Sequence, residues 1–141
     1  MVAREVYETV GGLCPLYQGH GSDDLDFCIR AFLFGYDCYI EPSAVIAHLY
    51  KDSFVSPPTW AELTFNSLLL TYLNLGPEKL EESKSTHKNR FGYAHSLELF
   101  EELRPQIEEF HRWIVVHQRR SPQELLEQLV RVEPEPASQV D

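Results

Sequence analysis

Apolar residues recur along this chain at spacings that change twice, and the changes mark its segments. Val2, Val6 and Val10 step by four, which predicts a short helix over residues 1–12 closed by Gly11 and Gly12, since glycine takes the left-handed C-terminal turn at little cost. Residues 13–22 are rich in Gly, Pro and Tyr. The run Gly19-His20-Gly21-Ser22 has too little side chain to pack a core and reads as a candidate binding loop. Ser22 is placed to cap a helix in which Leu25, Cys28, Ile29, Phe32 and Leu33 share one face, with Gly35 as its stop. Between Asp37 and His48 the helical spacing gives way to alternation. Cys38-Tyr39-Ile40 and Ala44-Val45-Ile46-Ala47 predict two short strands around a bend at Pro42.

Beyond Pro57-Pro58 helical spacing dominates. Thr59 and Glu62 make a capping box for a helix from Trp60 to Leu75, which Gly76-Pro77 ends. The polar stretch from Lys79 to Asn89 reads as a mobile connection. Leu97, Phe100, Leu103, Ile107, Phe110 and Ile114 then recur every three or four residues, and Pro105 among them predicts two helical pieces. Ser121, Pro122 and Glu124 open a last short helix through Leu125, Leu126 and Leu129.

Composition narrows the class. At 141 residues, 43% hydrophobic and 24% charged, the chain is expected to fold around one modest core. Its net charge of -10 leaves no basic stripe to neutralise phosphates, which excludes nucleic acid as a partner. Cys14, Cys28 and Cys38 are an odd set without Cys-x-x-Cys spacing, so neither a disulfide framework nor a zinc knuckle is indicated and a reducing compartment fits. No apolar run is long enough to span a bilayer or to serve as a leader, and the expected location is cytoplasmic or membrane-peripheral.

Candidate chemistry gathers around the second helix. Asp23 and Asp24 occupy its first turn after the Gly-rich loop, where the macrodipole and open amides favour ionised carboxylates whether or not they act on a substrate. Asp26 and Arg30, four apart, suit an intrahelical ion pair worth a few tenths of a kcal/mol. His48 ends the second expected strand, where a side chain can emerge into a cleft.

Taken in order, Gly11-Gly12-Leu13, Gly21-Ser22-Asp23-Asp24-Leu25-Asp26, Arg30, Gly35-Tyr36, Pro42 and His48 resemble the C-terminal motif region of family 2 glycosyltransferases. Relatives sharing that pattern include galactosyltransferases and polypeptide N-acetylgalactosaminyltransferases. The resemblance covers about residues 4–56. It implies an α/β, α-rich fold: the C-terminal half of a truncated GT-A domain, with residues 1–56 as the acceptor and catalytic side. A helical extension over 57–132 and a disordered tail over 133–141 complete the expected organisation.

The resemblance also assigns roles. Asp24 is the general base that takes the proton from an acceptor hydroxyl, a task to which a positioned carboxylate contributes about 10²- to 10⁴-fold. Asp23 stands where the family has the longer Glu and orients the acceptor. Tyr17, His20, Gly21 and Ser22 line the acceptor pocket by position. His48 matches the histidine that helps an Asp-x-Asp motif hold Mn²⁺ or Mg²⁺ against the nucleotide diphosphate.

No Asp-x-Asp precedes Asp24 and no glycine-rich phosphate turn occurs. The expected enzyme is therefore a fragment that needs a nucleotide-sugar donor and a sugar or other hydroxyl acceptor, is inactive alone, and does not hold the divalent cation by itself. A separate nucleotide-binding half or a second copy of the chain would complete it. The alternative is a noncatalytic helical interaction module descended from a degenerate transferase, supported by the apolar helices between 59 and 132. A zinc site on His111 and His117 is the weakest reading, since both suit a helix surface.

Overall fold

The computed structural model describes residues 1–47 and 59–131. Six helices make up its regular structure: α1 (Arg4–Thr9), α2 (Asp23–Leu33), α3 (Trp60–Leu75), α4 (Pro77–His87), α5 (Tyr93–His117) and α6 (Pro122–Arg131). The expected α/β architecture is overturned, because the described residues contain no strand. Cys38-Tyr39-Ile40 and Ala44-Val45-Ile46-Ala47 are irregular, joined by a turn at Pro42 in which the Ala44 amide donates to the Glu41 carbonyl at 3.0 Å. Alternation alone does not make a strand, which needs a neighbour to take its backbone N–H and C=O groups. No described segment lies alongside as one, and Tyr39, Ile40, Val45 and Ile46 are all more than four fifths exposed.

The core centres on α3, which lies among α2, α4 and α5. Its long buried face carries Ala61, Phe65, Leu68, Leu69, Tyr72 and Leu73. Phe100 of α5 meets Phe65 and Tyr72 edge to face, at centroid distances of 6.3 and 5.6 Å, the arrangement that ring quadrupoles prefer. Val10, Leu33, Phe34, Ile107 and Ile114 extend the same core toward α1, α2 and the end of α5. At the other end the α3 and α5 backbones approach closely. Gly92 has φ +80, and a Cβ there would come within 3.0 Å of the Ala61 amide nitrogen.

Local signals place the helix ends well. The Thr59–Glu62 capping box is complete, with Thr59 Oγ1 accepting from the Glu62 amide at 3.1 Å and Glu62 accepting from the Thr59 amide at 2.6 Å. Ser121 and Glu124 form the equivalent box before α6. Gly11, Gly12 and Gly35 all take positive φ after α1 and α2.

Three expectations about helices change. The polar connection expected from Lys79 to Asn89 is mostly α4: Pro77 fits the first helical turn, Leu80 is buried, and Lys79–Glu82 and Lys84–Glu81 pair along the exposed side. Strong helix formers outweigh the polarity that suggested a loop. The two pieces expected around Pro105 are one helix of 25 residues. Pro105 is exposed, so the carbonyl left without its amide partner faces water. In α2 the buried face is only partly the expected one: Leu33 is buried and Ile29 and Phe32 pack against the core as expected. Leu25 and Cys28 are exposed, whereas Asp26, Arg30, Ala31 and Leu33 are buried.

Candidate functional site

Asp26 and Arg30 organise the neighbourhood of the candidate acids, and both are fully buried. Arg30 grips one carboxylate oxygen from two nitrogens, Nε at 2.8 Å and Nη2 at 2.7 Å from Asp26 Oδ2. Its Nη2 also donates to the Gly12 carbonyl at 2.8 Å and its Nη1 to the Val10 carbonyl. The guanidinium lies 5.3 Å from the ring centre of Phe110 on α5. Asn74 of α3 completes the set, donating through Nδ2 to Asp26 Oδ1 at 2.8 Å. The pair is therefore not a surface ion pair worth tenths of a kcal/mol. It is a buried junction that ties the turn after α1, α2, α3 and α5 to one another. Planarity and five fixed donors are what let arginine fill this place.

A second amide holds the Gly-rich loop. Asn66, buried on α3, accepts from the Gln18 amide at 2.9 Å and donates to the carbonyls of Gln18, His20 and Gly21 at 2.8, 3.3 and 3.0 Å. The loop lies against the start of α3: a Cβ on Gly19 would meet the Glu62 carboxyl at 3.2 Å, and one on Gly21 would meet Leu63 at 3.7 Å. Spacing alone does not find Asn66 and Asn74. Two carboxamides inside an apolar-rich helix are nevertheless a signal, because a buried amide needs hydrogen-bond partners.

The loop ends in Ser22, which takes a left-handed φ of 73 and makes no side-chain cap, unlike the expected serine cap. Asp23 is half-buried and Asp24 exposed, its Oδ1 accepting from the Leu25 amide at 2.8 Å. Asp24 lies about 200° round the helix from Asp26, and so on the opposite side from the junction. His20 is exposed and Gly21 half-buried.

Tyr17, expected to line an acceptor pocket, turns its hydroxyl into the interior. The phenol sits beside the Asp26 carboxylate without a well-formed hydrogen bond, and burial together with that charge pushes its pKa up. His48 lies outside the described residues.

Two grooves lie elsewhere. One of about 470 Å³ between the end of α2 and α6 is lined by Phe32, Asp37, Arg120, Glu124, Glu127 and Gln128, and one of about 260 Å³ lies between α4 and α6. Neither includes Asp23 or Asp24. Among the described residues no three His, Cys, Asp or Glu side chains converge as a divalent ion would require. His117 is exposed and directs Nδ1 at the Trp113 carbonyl of its own helix at 2.8 Å, whereas His111 is half-buried and directs Nδ1 across to the Leu73 carbonyl of α3 at 3.0 Å. No described helix is long and apolar enough to cross a membrane. No family model, curated protein or solved structure matches the chain.

Proposed function

We propose that this chain is the acceptor-side portion of a family 2-like glycosyltransferase that moves a sugar from a nucleotide-sugar donor to a hydroxyl, with Asp24 as general base and Asp23 orienting the acceptor. The observation that supports it most is how α2 divides its acids. Asp26 is locked inward against Arg30, while Asp24, at the tip of the same helix, faces solvent on the other side. Gly12, Asp26 and Arg30, which carry much of the resemblance, also meet in space. They form a rigid mount for that tip.

A carboxylate so placed takes the proton as a hydroxyl oxygen attacks the anomeric carbon and the diphosphate leaves. Little of the catalytic gain comes from basicity alone, so a fixed mount matters. The acceptor is expected to lie over residues 19–24, and the donor half is expected on a separate nucleotide-binding unit.

Two measurements test this. In a ¹⁵N–¹H correlation spectrum, a panel of mono- and oligosaccharides should shift the amides of residues 19–25, and Asp23→Asn should weaken the response. With a nucleotide-sugar-binding half supplied in trans, transfer should appear and fall about 10²- to 10⁴-fold in Asp24→Asn, the usual worth of a general base. A panel that leaves every one of those amides unmoved, or transfer indifferent to Asp24→Asn, refutes the assignment.

The noncatalytic reading draws on a different observation, the exposed apolar side chains Trp60, Val115 and Val116 on α3 and α5. It expects a protein partner whose binding ignores Asp24→Asn.

A further inference from the structure

The turn that ends α2 folds the chain back along the helix it has just left. Gly35 takes φ +93, the Tyr36 amide donates to the Ala31 carbonyl at 3.0 Å, and Arg120 fixes the reversal through the carbonyls of Tyr36 and Gly35 at 3.1 and 3.2 Å. The Arg120 guanidinium also pairs with Asp37 at 2.8 Å and lies over the Phe32 ring at 4.6 Å. This holds the next residue, Cys38, beside the helix. Its thiol donates to the Cys28 carbonyl at 3.6 Å, which brings the two cysteines side by side, and both are exposed. Cys14, by contrast, is buried; burial pushes its thiol up to about 11, and partial burial raises the Cys38 thiol as well.

We infer that Cys28 and Cys38 form a reversible intrachain disulfide, made and broken by exchange with small-molecule disulfides of the glutathione type. One protein thiolate attacks a sulfur of oxidised glutathione, giving a mixed disulfide and releasing one glutathione thiolate. The second protein thiol loses its proton to solvent, and its sulfur displaces the other glutathione from the first. Two protein thiols are oxidised and one glutathione disulfide is reduced to two thiols, so the exchange balances.

What favours the intrachain product is placement. Arg120 and the glycine turn already hold Cys38 beside Cys28, so the resolving attack outruns encounter with another glutathione. The bond would fasten the irregular segment carrying Tyr39 and Ile40 to α2. The same chain reduced leaves that segment held at its base by hydrogen bonds and the Arg120–Asp37 pair, with no covalent tie.

The test uses the full chain, reduced and then exposed to oxidised glutathione at mildly alkaline pH. The intact mass should fall by about 2 Da, the loss of two hydrogens. Once the chain is denatured, trypsin cuts after Arg30, between the two cysteines, so without reductant the peptides 5–30 and 31–51 should stay joined. The link should persist in Cys14→Ser and disappear in Cys28→Ser. Thermal unfolding of the oxidised form should rise by about 5 °C, as expected for a short closed loop. Glutathione adducts that persist separately on Cys28 and Cys38, a bond between two chains, a link through Cys14, or no reaction would each overturn the inference.

Discussion

Withdrawing a carboxylate and a guanidinium from water costs several kcal/mol each, and Asp26 and Arg30 offset it only because every side of the pair is answered. Two backbone carbonyls, the Asn74 amide and the Phe110 ring surround them. Arg30→Met should therefore destabilise the fold by about 3–5 kcal/mol in denaturant titration, since it strands Asp26 without a counter-charge. The double variant Asp26→Leu/Arg30→Met should recover part of that loss. Arg30→Lys is no conservative change here, because one ammonium cannot reach a carboxylate and two carbonyls in three directions. The four-residue spacing revealed the pair in the sequence. Its burial was not legible there, because Val10, Gly12 and Asn74, which make it possible, are distant in the chain. Asp23 and Asp24 at the start of α2 follow from local pattern, whereas Tyr17 turns inward for a tertiary reason, the space beside Asp26.

At the scale of elements, what could be read was what is decided within one turn. Both capping boxes, the glycine stops and the Pro42 bend are local, and all occur where the sequence places them. Strand pairing is not local, and the two alternating stretches, with no strand beside them among the described residues, are irregular. Pro105 shows a milder case. The ring removes one amide from α5 and crowds the preceding turn, yet packing of Phe100, Ile107 and Ile114 on the same face holds the helix through it. Pro105→Ala should restore the missing bond at an exposed position with no packing to disturb. We expect a gain of about 1–3 kcal/mol, measured as a raised unfolding midpoint, from the interior helix penalty of proline.

Over the whole molecule, acidic charge and exposed apolar residues pull in opposite directions. A net charge of -10 keeps copies apart. Tyr39, Ile40, Val45 and Ile46, almost fully exposed within one short stretch, draw them together. Salt screens only the first, so sedimentation should show association that grows with ionic strength. Ile40→Lys/Ile46→Lys should abolish it without lowering the unfolding midpoint, and association unchanged in that variant would place the contact elsewhere.

The buried arginine also makes the chain a clock for its own opening. Trypsin must draw an arginine side chain into its specificity pocket before it can cut. The bonds after Arg4 and Lys79, whose side chains stand in solvent, need no more than local fraying. The bond after Arg30 becomes available only when four segments separate at once. Its rate of cleavage, read against those two, reports cooperative unfolding directly.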